Sequence, residues 1–339
     1  MMTQGCAIGE QTPCQYGGIF PLLAAGPALA AIEDGDGARN RGGMMDIDIA
    51  DMLATSDIGQ MTFAEAEQIF ALASREGWNP GRHDLQCAWE CDPDAFIALR
   101  YRGKMIAGGS IFRHTPSFGF MGLFIVDEAY RGYGLGRRLW HRRLQLLRAR
   151  LAPDAVIGMD GVFPMESFYA AGGFEPAYET LRYQGVASGA IARTGNAPMP
   201  VHATVSNDIL LAYDRDRAPY DRSALLASWL SQPENITAAT FQDGILVGFG
   251  MARPAETGFK IGPLVADDTR IAQGLLANLV ERLDGAQVQI DVPSPNQDGV
   301  ALAKSFGLEA NFGCRRMYFG GRPEEDISSI FGAMSLEFG

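Results

Sequence analysis

The stretch Val126-Asp127-Glu128-Ala129-Tyr130-Arg131-Gly132-Tyr133-Gly134-Leu135-Gly136 carries the reading of this chain. Val126 closes an apolar run, 118–126, that reads as a strand. Gly136 opens a run, 137–151, whose residues Leu139, Trp140, Leu144 and Leu147 recur at helical spacing. Between strand and helix lie three glycines at alternate positions. Glycines there let the backbone approach a ligand closely, and the start of a helix turns free amides and the positive end of its dipole toward an anion. The stretch therefore predicts a phosphate cradle. Seven arginines fall between Arg131 and Arg150, which concentrates positive charge at the same place. Arg131 and Arg137, beside the glycines, are expected to meet the phosphates, whereas Arg142, Arg143, Arg148 and Arg150 are expected to solvate the outer face of the helix.

Two common phosphate loops do not fit. A nucleotide loop needs Lys and then Ser or Thr after its last glycine, and Gly136 is followed by Arg137-Arg138. A dinucleotide fingerprint starting at Gly132 would place its third glycine at Arg137, and this loop follows an antiparallel meander and not the opening strand of a βαβ unit. The meander is legible upstream. Thr62 and Glu65 form a capping box ahead of Phe63, Ala66, Ile69, Phe70 and Ala73, which share one helical face. Residues 95–101 and 105–112, joined by Arg102-Gly103-Lys104, read as a hairpin. Downstream follow a strand at 155–159, a short helix at 165–171 and a strand at 174–183.

The glycine stretch resembles the acetyl-CoA motif of the GNAT family of N-acetyltransferases: a strand ending in Val, an Arg/Gln-x-x-Gly-x-Gly/Ala loop and a long helix. Phe168-Tyr169-Ala170-Ala171-Gly172-Gly173-Phe174 is similar to that family's later Tyr-x-x-x-Gly-Phe signature. Glu128 stands where the family usually has proline. The resemblance implies an α/β (α+β) fold, a mixed, mostly antiparallel twisted sheet flanked by helices. It implies that the strand ending at Val126 splays from the strand at 155–159, so that pantetheine pairs with Phe124, Ile125 and Val126. Arg131, Gly132, Tyr133, Gly134, Leu135, Gly136 and Arg137 would then cradle the pyrophosphate. Acetyl-CoA is the implied acyl donor, with no metal, and the acceptor amine attacks directly.

A backbone amide in the slot would polarise the thioester carbonyl. Tyr169 is expected either to protonate the departing thiolate or to be a core aromatic with its hydroxyl at the rim. An alkyl ammonium titrates near 10, so a carboxylate or a water relay must take a proton from the amine. Asp160 is the first candidate, unless it caps the turn through Gly161, and Glu90 is the second. Trp78 and Asn79 lie in the loop that closes over the acceptor in the family.

The second half repeats the first. Residues 100–109 match 240–249 in pattern, 119–126 match 258–265, Arg131 matches Arg270, and 173–183 match the segment from Gly307 to Tyr318. The glycine loop has become Arg270-Ile271-Ala272-Gln273-Gly274-Leu275. Side chains at Ile271, Gln273 and Leu275 are expected where phosphates would lie, so this copy is expected to have lost acetyl-CoA. The expected organisation is a first GNAT domain at 46–185, a Gly-, Ala- and Pro-rich linker at 186–200, a degenerate GNAT-like domain at 201–322 and a tail at 323–339. Residues 208–213 read as a strand and 223–230 as a helix. The whole resembles bacterial tandem acetyltransferases with an active first domain. In that arrangement Asp291 and Asn296 are expected to contact the acceptor, or else the second copy is a structural brace.

Composition narrows the classes. At 339 residues the chain has room for about two domains. A hydrophobic share of 47% with 20% charged residues is ordinary for a folded protein. A net charge of -12 argues against a general grip on nucleic acid. The apolar run at 19–32 is broken by Pro21, Gly26 and Pro27, so no membrane span is expected, and residues 1–45 read as a disordered leader or a start assigned too far upstream. Five scattered cysteines cannot all pair, which favours a reducing cytoplasm. His83, Cys87 and Cys91 share a helix face but lack a fourth ligand at regular spacing, so no metal is expected. The expected partner is a small-molecule amine, with a homodimer among the possible assemblies. The alternative from a different class is a catalytically silent acetyl-CoA sensor.

Overall fold

Residues 49–189, 201–202 and 204–339 are described by the computed structural model. The expected leader, and all of the expected linker but its first residues, lie outside the described residues. In the first copy the elements are α1 (Ile49–Thr55), β1 (Asp57–Gln60), α2 (Phe63–Arg75), α3 (Asp84–Cys91), β2 (Phe96–Tyr101), β3 (Lys104–Thr115), β4 (Phe118–Val126), α4 (Leu135–Arg150), β5 (Val156–Val162), α5 (Glu166–Ala171) and β6 (Glu175–Val186). The capping box that starts α2 forms as the sequence predicts, with Thr62 and Glu65 each bonding the other's backbone amide.

The second copy runs through α6 (Asn207–Arg215), α7 (Ser223–Leu230), β7 (Ile236–Gln242), β8 (Ile245–Pro254), β9 (Phe259–Ala266), α8 (Thr269–Arg282), β10 (Gln287–Pro293), α9 (Gln297–Ser305), β11 (Glu309–Phe319) and β12 (Ile330–Gly332). Residues 208–213, expected as a strand, belong to helix α6. It buries Leu210, Tyr213 and Asp214, three and four apart on one helix face, and the Tyr213 hydroxyl bonds Asp267 at 2.7 Å.

All twelve strands join one sheet, ordered β1-β2-β3-β4-β5-β11-β6-β10-β9-β8-β7, with β12 added on β9. The order shows an exchange. Strand β11, last of the second copy's repeat, lies between β5 and β6, and β6 of the first copy lies between β11 and β10. Each copy thus completes its sheet with a strand of the other, and the two cannot be separated into independent sheets. The exchange is marked by two cross-strand ion pairs. Arg316 on β11 faces Asp160 on β5 and holds it with two bonds of 2.8 and 2.7 Å. Arg182 on β6 faces Asp291 on β10 and holds it with bonds of 2.7 and 2.9 Å. Each arginine reaches into the copy that does not own it.

One hydrophobic core serves each copy's outer helix, around Trp140 and Leu147 against α4 and around Leu275 and Leu279 against α8. A third core is shared. It joins Phe70, Phe96, Phe112 and Phe120 of the first copy to Trp229, Phe249 and Met251 of the second. The segment expected as a tail lies in this shared core. Phe338 packs against the rings of Phe112, Trp229, Phe70 and Phe96 at 5.7 to 6.3 Å. Its apolar residues Phe331, Met334, Leu336 and Phe338 explain why it is not free: all four are buried.

The paired arginines and carboxylates are almost fully removed from water. Asp291→Asn would leave the Arg182 charge buried without its paired carboxylate, which costs roughly 3–5 kcal/mol, whereas Asp291→Leu with Arg182→Met is expected to recover most of that loss. Urea unfolding of both variants checks this, and a single variant as stable as the wild type would contradict it.

Candidate active site

Strand β4 pairs with β5 in parallel only at Phe118–Phe120 with Val156–Gly158. Beyond Phe120 the two strands diverge, leaving the slot that the sequence reading expects. Just past that point β4 bulges. Ser110 of β3 faces Gly122 and Gly108 faces Ile125, so Gly109 alone opposes both Leu123 and Phe124. Leu123 takes φ +51°, a left-handed conformation uncommon outside glycine. The bulge takes Phe124 out of the paired register at the mouth of the slot. The Phe124 and Phe168 rings stack there at 6.3 Å. Tyr169 of α5 packs on β5 at Gly161, where any side chain would strike its ring at 2.6 Å. Burial pushes the Tyr169 phenol well above its usual pKa, opposed in part by the nearby Arg143 charge. The hydroxyl therefore stays protonated across the neutral range.

The glycine loop leads into α4 without a side-chain cap. Gly134 is the N-cap at φ +79°, Gly132 lies at φ +86°, and a Cβ on either would meet open space. The first amides of α4 are therefore left for an anion, as the cradle requires. Gly136 lets the helix start rest on the strand end, since its Cβ would lie 3.3 Å from Val126. Arg137 is exposed beside the loop. Arg131 serves differently from its expected role. Its Nε donates to the Val126 carbonyl at 2.8 Å and its Nη2 pairs with Glu76 at 2.5 Å, so the side chain braces the loop against α2. Leu135 is buried and Tyr133 half-buried against the α4 core.

The arginines of α4 divide against expectation. Arg142 and Arg148 are exposed. Arg150 pairs with Asp92 at 2.5 Å. Arg143 is wholly buried under the sheet. Adjacent arginines on a helix are turned about 100° apart, so the pair Arg142-Arg143 straddles the boundary between surface and core.

Several expected acceptor and base residues are engaged elsewhere. Asp160 ends in the Arg316 pair, and both oxygens accept bonds; burial pushes its carboxyl up while the guanidinium pulls it down. It is a structural carboxylate, not a free base. Glu90 lies exposed on α3 and accepts from Gln86. The Trp78 carbonyl accepts from Arg182 at 2.6 Å. Asn79 exchanges bonds with Thr257 and donates to Gln289, knitting the first copy's loop to the second copy. His83 is the N-cap of α3, while Cys87 and Cys91 face α7 through the Ser228 and Ala224 carbonyls.

The second copy has the same splay and closes it with its own chain. Strand β9 pairs with β10 at Phe259–Ile261 with Val288–Ile290 and then diverges. Strand β12 enters the gap and pairs with β9 at Leu264 and Val265. By the repeat these positions answer to Ile125 and Val126. Asn296 donates to the Ser328 and Ile330 carbonyls, and the Ala333 amide donates to Asp291 O, so both expected acceptor contacts hold the plug in place. Pro263 answers to Phe124, and proline has no amide hydrogen to offer. Only Asp267 and Asp268 separate β9 from α8, and Asp268 caps that helix by accepting from the Ile271 amide at 2.8 Å. A carboxylate thus takes the anion's place. Ile271 and Leu275 point inward against Gly248, not into the ligand space expected from the sequence. The C-terminal segment then crosses from one bulge to the other, with the Ala333 carbonyl against Gly262 and the Glu337 carbonyl against Gly122. The Glu337 carboxylate accepts from Ser335 and lies 3.5 Å from Lys260 Nζ.

The acetyltransferase (GNAT) family pattern matches residues 63–174, and the acetyltransferase (GNAT) domain pattern matches residues 210–332. The chain belongs to the GNAT family, as a tandem pair. Among relatives of this tandem GNAT protein, a holothin acyltransferase from a Pseudoalteromonas species is 27% identical over 271 residues, which is 79% of this chain and 89% of that protein. An uncharacterized N-acetyltransferase, YitH, from Bacillus subtilis is 26% identical over 58% of this chain and 69% of its own. A putative acetyltransferase from Pyrococcus horikoshii shares the fold at a TM-score of 0.71 and 22% identity, covering 84% of this chain and 96% of that one. A tandem GNAT protein from the clavulanic acid biosynthesis pathway does so at 0.57 and 14%, covering 79% and 100%. The homologues support acyl transfer as the type of chemistry. None of the described helices is long and apolar enough to cross a membrane.

Asn296→Ala removes the bonds that hold β12 in the second slot and the cap of α9. The expected loss is about 1–3 kcal/mol in urea unfolding. A variant with unchanged stability would show that β12 does not depend on this anchor.

Proposed function

We propose that this tandem GNAT protein is an acetyl-CoA-dependent N-acetyltransferase that moves an acetyl group to a primary amine on a small molecule. The observation that carries the reading is a contrast between the copies. The first keeps an open slot, an uncapped helix start and a bulge residue with an amide, and the second has lost all three. The uncapped amides of α4 and the exposed Arg137 suit a pyrophosphate. The edge of β4 at Phe124, Ile125 and Val126 suits the amides and carbonyls of pantetheine.

Acetyl-CoA supplies the activated thioester. The chain's own residues then have separable tasks. The Phe124 amide is the donor suited to a developing oxyanion. Tyr169, protonated at neutral pH, is assigned as the acid for the leaving thiolate. With Asp160 held by Arg316, the amine's proton leaves through a water relay. The small size of the acceptor is supported by the enclosure of the bulge, where the C-terminal segment and the shared core cover the α2 face of β4. A relative named a holothin acyltransferase is in keeping with such an acceptor. The absence of a membrane-spanning helix among the described residues is compatible with a cytoplasmic place of work.

Thermal-shift titration with acetyl-CoA tests the cradle. Gly134→Glu is expected to abolish the stabilisation by setting a carboxylate where phosphate would bind, while Asp268→Ala leaves the response intact. Equal losses would contradict the assignment of the ligand to the first copy. Tyr169→Phe is expected to lower turnover by about 10²-fold with little change in acetyl-CoA affinity. Thiol release across a panel of amines measures it. Unchanged turnover would remove Tyr169 from the reaction, and binding without release across the panel would favour the silent sensor.

A further inference from the structure

We propose that Arg143 is a positioning residue for acyl transfer: its guanidinium fixes the β4 bulge so that the Phe124 amide points at the thioester carbonyl. The inference rests on the acetyl-CoA reading above and adds a residue to it.

Five arginines are buried among the described residues, namely Arg143, Arg182, Arg222, Arg253 and Arg316. Four hold a carboxylate with two bonds each: Asp291, Asp214, Asp84 and Asp160. Arg143 has no carboxylate. Its Nη2 donates to the carbonyls of Ser110 and, at 2.6 Å, of Gly122. Its Nε and Nη1 are buried without a hydrogen-bond partner. Burial lowers its pKa to about 9, which still leaves it a cation at neutral pH.

An isolated buried cation is strongly disfavoured, and a leucine or methionine would fill a helix-to-sheet gap without that penalty. What the guanidinium does that an apolar side chain cannot is bridge two carbonyls at once. Those carbonyls belong to Ser110 and Gly122, the last pair in register before the bulge. The two bonds from Nη2 therefore tie the two strands together at the point where the ladder breaks. Its charge lies 5.3 Å from the centre of the Phe124 ring, beneath the residue whose amide would meet the oxyanion. Gly109, the lone residue opposite the bulge, is needed because any side chain there would run into the Arg143 guanidinium.

The second bulge provides an internal control. Its amide is replaced by Pro263, and the guanidinium that reaches it, Arg253 to the Gly262 carbonyl at 2.9 Å, comes from β8 and is neutralised by Asp84. The uncompensated cation lies at the bulge that keeps its donor.

Isotope-edited infrared spectroscopy of bound acetyl-CoA, labelled at its carbonyl carbon, tests this in the full chain without any acceptor. In the wild type the thioester carbonyl band is expected below that of free acetyl-CoA. In Arg143→Met it should return most of the way to the free position while the calorimetric affinity stays within about threefold of wild type, because only the Phe124 contact moves and the glycine loop and the Ile125–Val126 edge are untouched. Arg143→Lys, which keeps the charge on a shorter side chain that reaches the two carbonyls less well, should fall between, and it carries the same readout if the Met variant does not fold. A band unmoved in the variants, or unshifted in a wild type that binds, overturns the role of Arg143 alone. A wild type that does not bind acetyl-CoA overturns the reading beneath it as well.

Discussion

The molecule depends on an exchange of strands secured by two buried ion pairs. Strand β6 is built into the second copy and β11 into the first, and each carries an arginine that meets a carboxylate of the host copy, Arg182 with Asp291 and Arg316 with Asp160. A buried pair of this kind is weak as net stabilisation, but a wrong register would leave two charges stranded in the core. The pairs therefore act chiefly on specificity. They fix which strand enters which gap and to within one residue, and so they fix the splay of β4 from β5 on which the slot depends.

From that frame follows the inequality of the two copies. Both have a splayed pair of strands with a bulge beside it. In the first, the bulge carries Phe124 and the adjoining helix starts on glycine. In the second, the bulge carries Pro263, the helix starts on Asp268, and β12 lies in the gap. The second copy fills with β12 the gap that stays open in the first, and so anchors the chain that continues into the shared core. Against the first copy it supplies enclosure: Asn79, Thr257 and Gln289 close the loop between copies, and Phe338 seals the aromatic core beneath β4.

Much of this was legible in the amino-acid sequence. The extent of strand 118–126, the capping box at Thr62, the glycine loop and the internal repeat all rest on local spacing, which the folded chain obeys. The exchange was not legible, because β6 and β11 share one pattern and local periodicity does not say which gap a strand enters. Asp160 looked available for the same reason: its partner lies 156 residues away. Arg143 looked like surface because six arginines crowd one helix, and a shift of one position turns a side chain from water to core. Residues 208–213 misled because a six-residue window of mixed apolar residues fits a strand as well as a helix. The C-terminal segment showed its role only once Phe338 was seen among rings from both copies.

The central claim is that one slot takes a pantetheine along β4 while the other is closed by β12. Amide hydrogen exchange with and without acetyl-CoA, resolved to short peptides, addresses both halves together. The account predicts new protection at residues 124–126 and across the glycine loop, with no change at Leu264 and Val265, whose strand β12 already covers. Protection appearing at Leu264 and Val265, or absent from residues 124–126, would contradict it.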